Sequence, residues 1–163
     1  MKLRKWTITA FLIAINVILS SIVVIPLGPI KAAPVQHFIN VLSAVFVGPW
    51  YGLAQAFISS ILRISFGTGS AFAFPGSMIG VLLSSLFYMY RKHIFMASVG
   101  EVLGTGVIGS LMCIPLAWFM DLQNFFIKPL MFIVSSVIGA LISYILLIIM
   151  KRRGLIDKYI KNK

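Results

Sequence analysis

The chain has 163 residues, is 60% hydrophobic and 10% charged, and has a mean hydropathy of +1.05, which places it outside the soluble globular range and reads as one integral membrane domain over 1–163. Its net charge of +11 does not argue for nucleic acid, because the lysines and arginines sit at the chain ends and between apolar runs rather than on one water-facing patch. The single cysteine, Cys113, excludes an intrachain disulfide and a cysteine-rich metal site.

The first apolar run, 6–25, has about the 20 residues that a bilayer core requires. It is long and no A-x-A pattern follows it, so it reads as a retained helix rather than a cleaved signal. Pro26, Gly28 and Pro29 end it. A shorter helix is expected over 34–47 and would cover only roughly 20 Å, so it either tilts or stops short of one face. After the Gly48-Pro49 turn a third helix covers 50–66, and Gly67 to Gly76 reads as a loop. A fourth helix over 77–90 closes on Arg91-Lys92-His93. The fifth, 94–120, should be loosened by Gly104 and Gly106 and kinked at Pro115. A polar turn from Asp121 to Lys128, a sixth helix over 129–150 and a basic tail over 151–163 complete the chain.

The expected fold class is therefore an all-α integral membrane protein with six transmembrane helices. Lysine and arginine near helix ends set orientation. Placing both termini and the Arg91 loop in the cytoplasm gathers Lys2, Arg4, Lys5, Arg91, Lys92, Lys151, Arg152, Arg153, Lys158, Lys161 and Lys163 on one side, 11 of the 14 basic residues. Four spanning helices with the second and third as a re-entrant pair satisfy the same count. The outward face then carries Pro26 to Gln36, Gly67 to Gly76 and Asp121 to Lys128.

Polar side chains concentrate toward that face. Gln36, His37 and Asn40 share one side of the second helix by the i, i+3, i+4 rule and must find partners or a ligand. Arg63, near the outer end of the third helix, either snorkels to the headgroups or serves as a donor beside Thr68 and Ser70. Trp118 borders the outer end of the fifth helix, where an interfacial aromatic belt is the alternative account. Glu101 lies within the fifth helix, nearer the cytoplasm, and must be protonated, paired or beside water. Gly104, Gly106 and Gly109 around it favour close helix packing, and Ala10 and Ala14 let another helix approach the first.

No P-loop, G-x-S-x-G elbow or H-E-x-x-H pair occurs, so ATP hydrolysis by this chain is not expected. With three acidic residues and two histidines, few groups are available for acid–base catalysis. No enzymatic activity, cofactor or metal site is expected, and an intramembrane hydrolase using His37 and a serine is the remote alternative. A self-sufficient proton-coupled carrier built on Glu101 is the nearer one.

The A-x-x-x-A pair (Ala10, Ala14), the string KAAPVQHFIN, the turn GPWYG, the loop GTGSAFAFPGS and the later GEVLGTGVIG together resemble the substrate-binding S components of energy-coupling factor vitamin transporters, specifically the ThiW type. The resemblance covers essentially the whole chain. It implies a six-helix membrane subunit that captures substrate from outside and docks through Ala10 and Ala14 on a transmembrane coupling subunit driven by two ATPase subunits. It also implies a thiamine precursor as ligand, hydroxyethylthiazole, held among Gln36, His37, Asn40, Thr68 and Ser70 with Phe72, Phe74 and Trp118. Arg63 has no obvious partner on a neutral ligand; Asp121, loop carbonyls or a phosphorylated substrate are the alternatives.

Overall fold

The computed structural model describes residues 2–27, 30–119 and 127–161. Its elements are α1 (Lys2–Ile22), β1 (Ile25–Leu27), β2 (Ile30–Ala32), α2 (Val35–Phe46), α3 (Pro49–Ser65), α4 (Ala73–Arg91), α5 (Ile94–Glu101), a π-helical segment (Val102–Gly109), α6 (Ser110–Phe119), α7 (Ile127–Arg152) and α8 (Leu155–Lys161).

Among the described residues, four stretches are long and apolar enough to cross a membrane: Lys2–Ile22, Ala73–Arg91, Ile94–Leu116 and Pro129–Arg152. α2 and α3 are shorter, with 12 and 17 residues. Ten of the twelve α2 residues are buried, and α1, α3, α4, α5 and α7 surround it, so the shortest apolar rod forms the axis of the bundle.

The bundle is polar inside and greasy outside. On α1 the buried residues are Thr9, Leu12, Asn16 and Ser20, while Phe11, Ile18 and Ile22 are exposed. Lipid tails are as apolar as leucine, so burying leucine between helices yields little there; small and hydroxyl side chains instead allow close backbone approach. α4 and the helix after it show this best. A Cβ added at Gly104 would lie 2.7 Å from the Gly80 Cα, and one at Gly109 would lie 2.7 Å from the Gly76 Cα. The two backbones touch, as the glycine spacing led us to expect.

Several boundaries differ from the sequence expectation. The first helix stops at Ile22, and the connection to α2 is an antiparallel ribbon pairing Ile25 with Ala32 and Leu27 with Ile30. The β-branched run before Pro26 favours extended backbone, and proline cannot continue a helix. The expected loop to Gly76 is shorter, because α4 begins at Ala73 with Pro75 in its first turn, where a missing N–H costs nothing. The fifth helix loosens over Val102–Gly109, where the Ser110 N–H reaches back five residues to the Thr105 carbonyl, and the chain is helical on both sides of Pro115. The basic tail contains α8, docked by the Tyr159 hydroxyl donating to the Phe46 carbonyl at 2.7 Å and by Arg4 lying 4.1 Å over the Tyr159 ring. The expected polar turn around Asp121 and Asn124 lies outside the described residues.

Candidate functional site

Pro34 presets the backbone at the start of α2, so Gln36 and His37 fall in its first turn. α7 fixes where that turn sits. A Cβ at Gly139 would lie 2.3 Å from the Pro34 carbonyl oxygen, so α2 and α7 meet backbone to backbone there. One turn away the Ala33 N–H donates to Ser135 Oγ at 3.1 Å.

Beside this junction is a cavity of about 150 Å3 lined by Ala33, Gln36 and His37, by Arg63 of α3, by Ser70, Phe72 and Ala73 at the entry to α4, and by Met131, Phe132 and Ser135 of α7. The wall mixes directed polar groups with two aromatic rings, a composition suited to a small ligand with a ring and a polar arm. A dry cavity of about this size holds one benzene ring. That volume suits a single ring.

Arg63 is only 6% exposed, so it does not snorkel to headgroups. Its Nη1 donates to Gln36 Oε1, its Nη2 to the Thr68 carbonyl at 3.4 Å, and its buried Nε has no partner among the described residues. Thr68 is exposed and does not line the cavity; its own N–H returns to the Arg63 carbonyl at 2.8 Å, so it braces Arg63.

Behind the cavity lies a buried polar cluster. Glu101, 0% exposed, accepts at Oε1 from His37 Nδ1 at 2.9 Å, Asn40 Nδ2 at 3.0 Å and Thr105 Oγ1 at 2.9 Å. A carboxylate facing Nδ1 fixes the hydrogen there, and His37 Nε2 makes no hydrogen bond to the described residues. Asn40 also joins Ser77: its amide donates to the Ser77 carbonyl at 3.2 Å, and the Ser77 hydroxyl donates to Asn40 Oδ1 at 3.2 Å. Oε2 of Glu101 is buried without a partner and packs against Gly80, where any side chain would collide with it.

The structure thus brings Gln36, His37, Arg63 and Ser70 to one cavity and places Asn40 and Glu101 one layer behind it. The sequence put Glu101 some distance from the outer pocket. His37 reaches it, because α2 is sunk in the bundle and packs against α5, which ends at Glu101. Trp118 is 85% exposed and lines no part of the cavity. Phe74 packs on Phe57, with ring centroids 5.7 Å apart, instead of facing the cavity. Sequence reasoning missed Ser77, Thr105, Phe132 and Ser135. The Ser135-Ser136 pair inside an apolar run was the available signal, since hydroxyls within a membrane helix mark a protein-facing side. Ala10 and Ala14 lie on the exposed face of α1, away from the cavity and free of covering helices.

A family model described as thiamine-precursor transporter protein (ThiW) matches residues 6–153. No curated protein and no solved structure matches the chain.

Proposed function

The chain belongs to the ThiW family of thiamine-precursor transporters, and we propose that it is the substrate-capture subunit of an ATP-driven energy-coupling factor importer. On this reading six helices cross the membrane with both termini in the cytoplasm, and the cavity beside Gln36 and His37 opens outward. Its cargo is the single-ring thiazole alcohol hydroxyethylthiazole. Ala10 and Ala14, on the exposed face of α1, dock on the transmembrane coupling subunit, which two ATPase subunits drive.

The observation that carries the reading is the cavity itself. It is sized for one ring, has Phe72 and Phe132 in its wall, and offers Gln36, His37, Ser70 and Ser135 to a hydroxyl and a ring nitrogen. Asn40 and Glu101 support His37 from behind and Thr68 braces Arg63; Trp118 has no part in this reading. Calorimetry with the purified chain tests the ligand: saturable heat with hydroxyethylthiazole supports it, and silence with that compound and other thiamine precursors removes it. The self-sufficient proton-coupled carrier is the rival. Uptake into proteoliposomes by this chain alone, driven by a pH gradient, would replace our reading; uptake only with coupling and ATPase subunits supports it.

A further inference from the structure

We infer that Arg63 marks an anion subsite, so that the ligand of this cavity carries a carboxylate or a phosphate on its polar arm. The inference rests on the cavity being the transport site for a thiamine precursor, and it replaces the free alcohol as cargo by a phosphate ester or acid of the same ring. Arg63 is buried, lines the cavity, and keeps its charge under all physiological conditions. A guanidinium taken out of water needs an opposite charge or a full set of acceptors. This one has the neutral Gln36 oxygen, a long bond to the Thr68 carbonyl, and an Nε with no partner among the described residues.

The chain has three acids with which to answer that charge. Glu101 is engaged by His37, Asn40 and Thr105. Asp157 sits on α8, beyond the cytoplasmic end of α7. Asp121 lies outside the described residues and is brought into the test. A planar fork of N–H donors with room beside it suits the paired oxygens of a carboxylate or phosphate. The same charge disfavours a cationic ring, so a thiazolium is excluded by the chemistry that selects an acid.

The experiment uses the purified full-length chain and calorimetry with the thiazole alcohol, its phosphate ester and the corresponding ring carboxylate. The expected result is that an anionic probe binds roughly tenfold or more tightly than the alcohol. Arg63→Gln should remove that advantage, and Arg63→Lys should keep part of it. An alcohol that binds as tightly as both anions, or a preference that survives Arg63→Gln, overturns the inference and leaves the precursor reading standing. Should no thiazole bind, benzoate and pyridine carboxylate are tried: Arg63-dependent binding keeps the anion subsite and removes the precursor reading, and silence overturns both. Asp121→Asn should leave the anion preference intact. If Arg63→Gln and Asp121→Asn each lower thermal stability and the double variant regains it, the two form a structural pair and the inference fails.

Discussion

Replacing Glu101 tests whether the cavity is held from behind. Three donors converge on Oε1, at 2.9, 3.0 and 2.9 Å. A bond to a charged acceptor contributes about 1.5–3 kcal/mol and a neutral one about 0.5–1.5, so Glu101→Gln, which keeps an acceptor oxygen and loses the charge, costs about 1 kcal/mol per donor and about 3 kcal/mol in all. Glu101→Ala strands His37 Nδ1 and one N–H of Asn40, while Thr105 Oγ1 keeps the Gly76 carbonyl at 2.9 Å. Breaking a buried pair costs about 3–5 kcal/mol and each further orphan about 1–3, which together approach the whole stability of a domain. At about 2–4 °C per kcal/mol for a chain of this size, Glu101→Gln should lower the melting temperature by roughly 6–12 °C, followed by intrinsic tryptophan fluorescence in detergent. Glu101→Ala should fail to elute as a folded species. The His37 ring is held less firmly in Glu101→Gln and loses its anchor in Glu101→Ala, so ligand heat should weaken even where the chain folds. A Glu101→Ala protein melting within a degree of wild type would refute the reasoning.

Gly139→Leu forces a side chain into the space where a Cβ already lies 2.3 Å from the Pro34 carbonyl; backbone cannot yield as a side-chain tip does, so α2 should shift and ligand binding should be lost by calorimetry. Gly80→Ala places a methyl 2.0 Å from Thr105 Oγ1 and 2.7 Å from Glu101 Oε2, and should lower the melting temperature by several degrees in the same fluorescence assay. Replacing Ala10 and Ala14 together by tryptophan should abolish co-purification with the coupling subunit and uptake in cells, while the variant still elutes as a folded protein. Burial raises the Tyr159 phenol above its ordinary value, with Arg4 acting the other way. The docked tail is therefore fully stabilised below the ordinary tyrosine value of about 10 and loses that support as pH rises through the higher folded value, a transition that tyrosinate absorbance should detect and Tyr159→Phe should remove.

What the sequence made legible was chemistry with a local cause. Glycine, proline and run lengths placed the long helices, and the polar triplet Gln36, His37 and Asn40 identified the face of α2 that matters. What it hid was three-dimensional. Glu101 and His37 are 64 positions apart, and nothing in either neighbourhood says that α2 is sunk to the depth at which they meet. Phe132 and Ser135 read as ordinary membrane-helix residues, and only the Gly139 approach to Pro34 turns them toward the cavity. Trp118 was drawn in by its aromatic character, although an aromatic ring near the end of a membrane helix suits the interface equally well. The extended ribbon escaped notice because its strands have three residues each, too few to show alternation.

The cavity wall is unequally supported, and this follows from how membrane helices cohere. On the α2 side, Ala33 is bonded to Ser135, Pro34 is pressed on Gly139, Asn40 is bonded to Ser77, and His37 is bonded to Glu101, so the start of α2 is tied to α4, the fifth helix and α7. On the α3 side, Arg63 is steadied by Gln36 and by a backbone turn in which the Thr68 and Gly69 N–H groups share the Arg63 carbonyl, with Gly67 at φ +70° supplying the left-handed step. Thr68 and Ser70 are both exposed. Local opening follows the side with fewer buried bonds, so the link from Gly67 to Phe72 is the part of the wall able to move without unpairing a buried carboxylate. Arg63 stands at the root of that link and Gln36 on the fixed α2 side, so the bond between them joins the two parts of the wall. A ligand that takes over the guanidinium must compete with Gln36 for it, which couples filling the cavity to freeing the link.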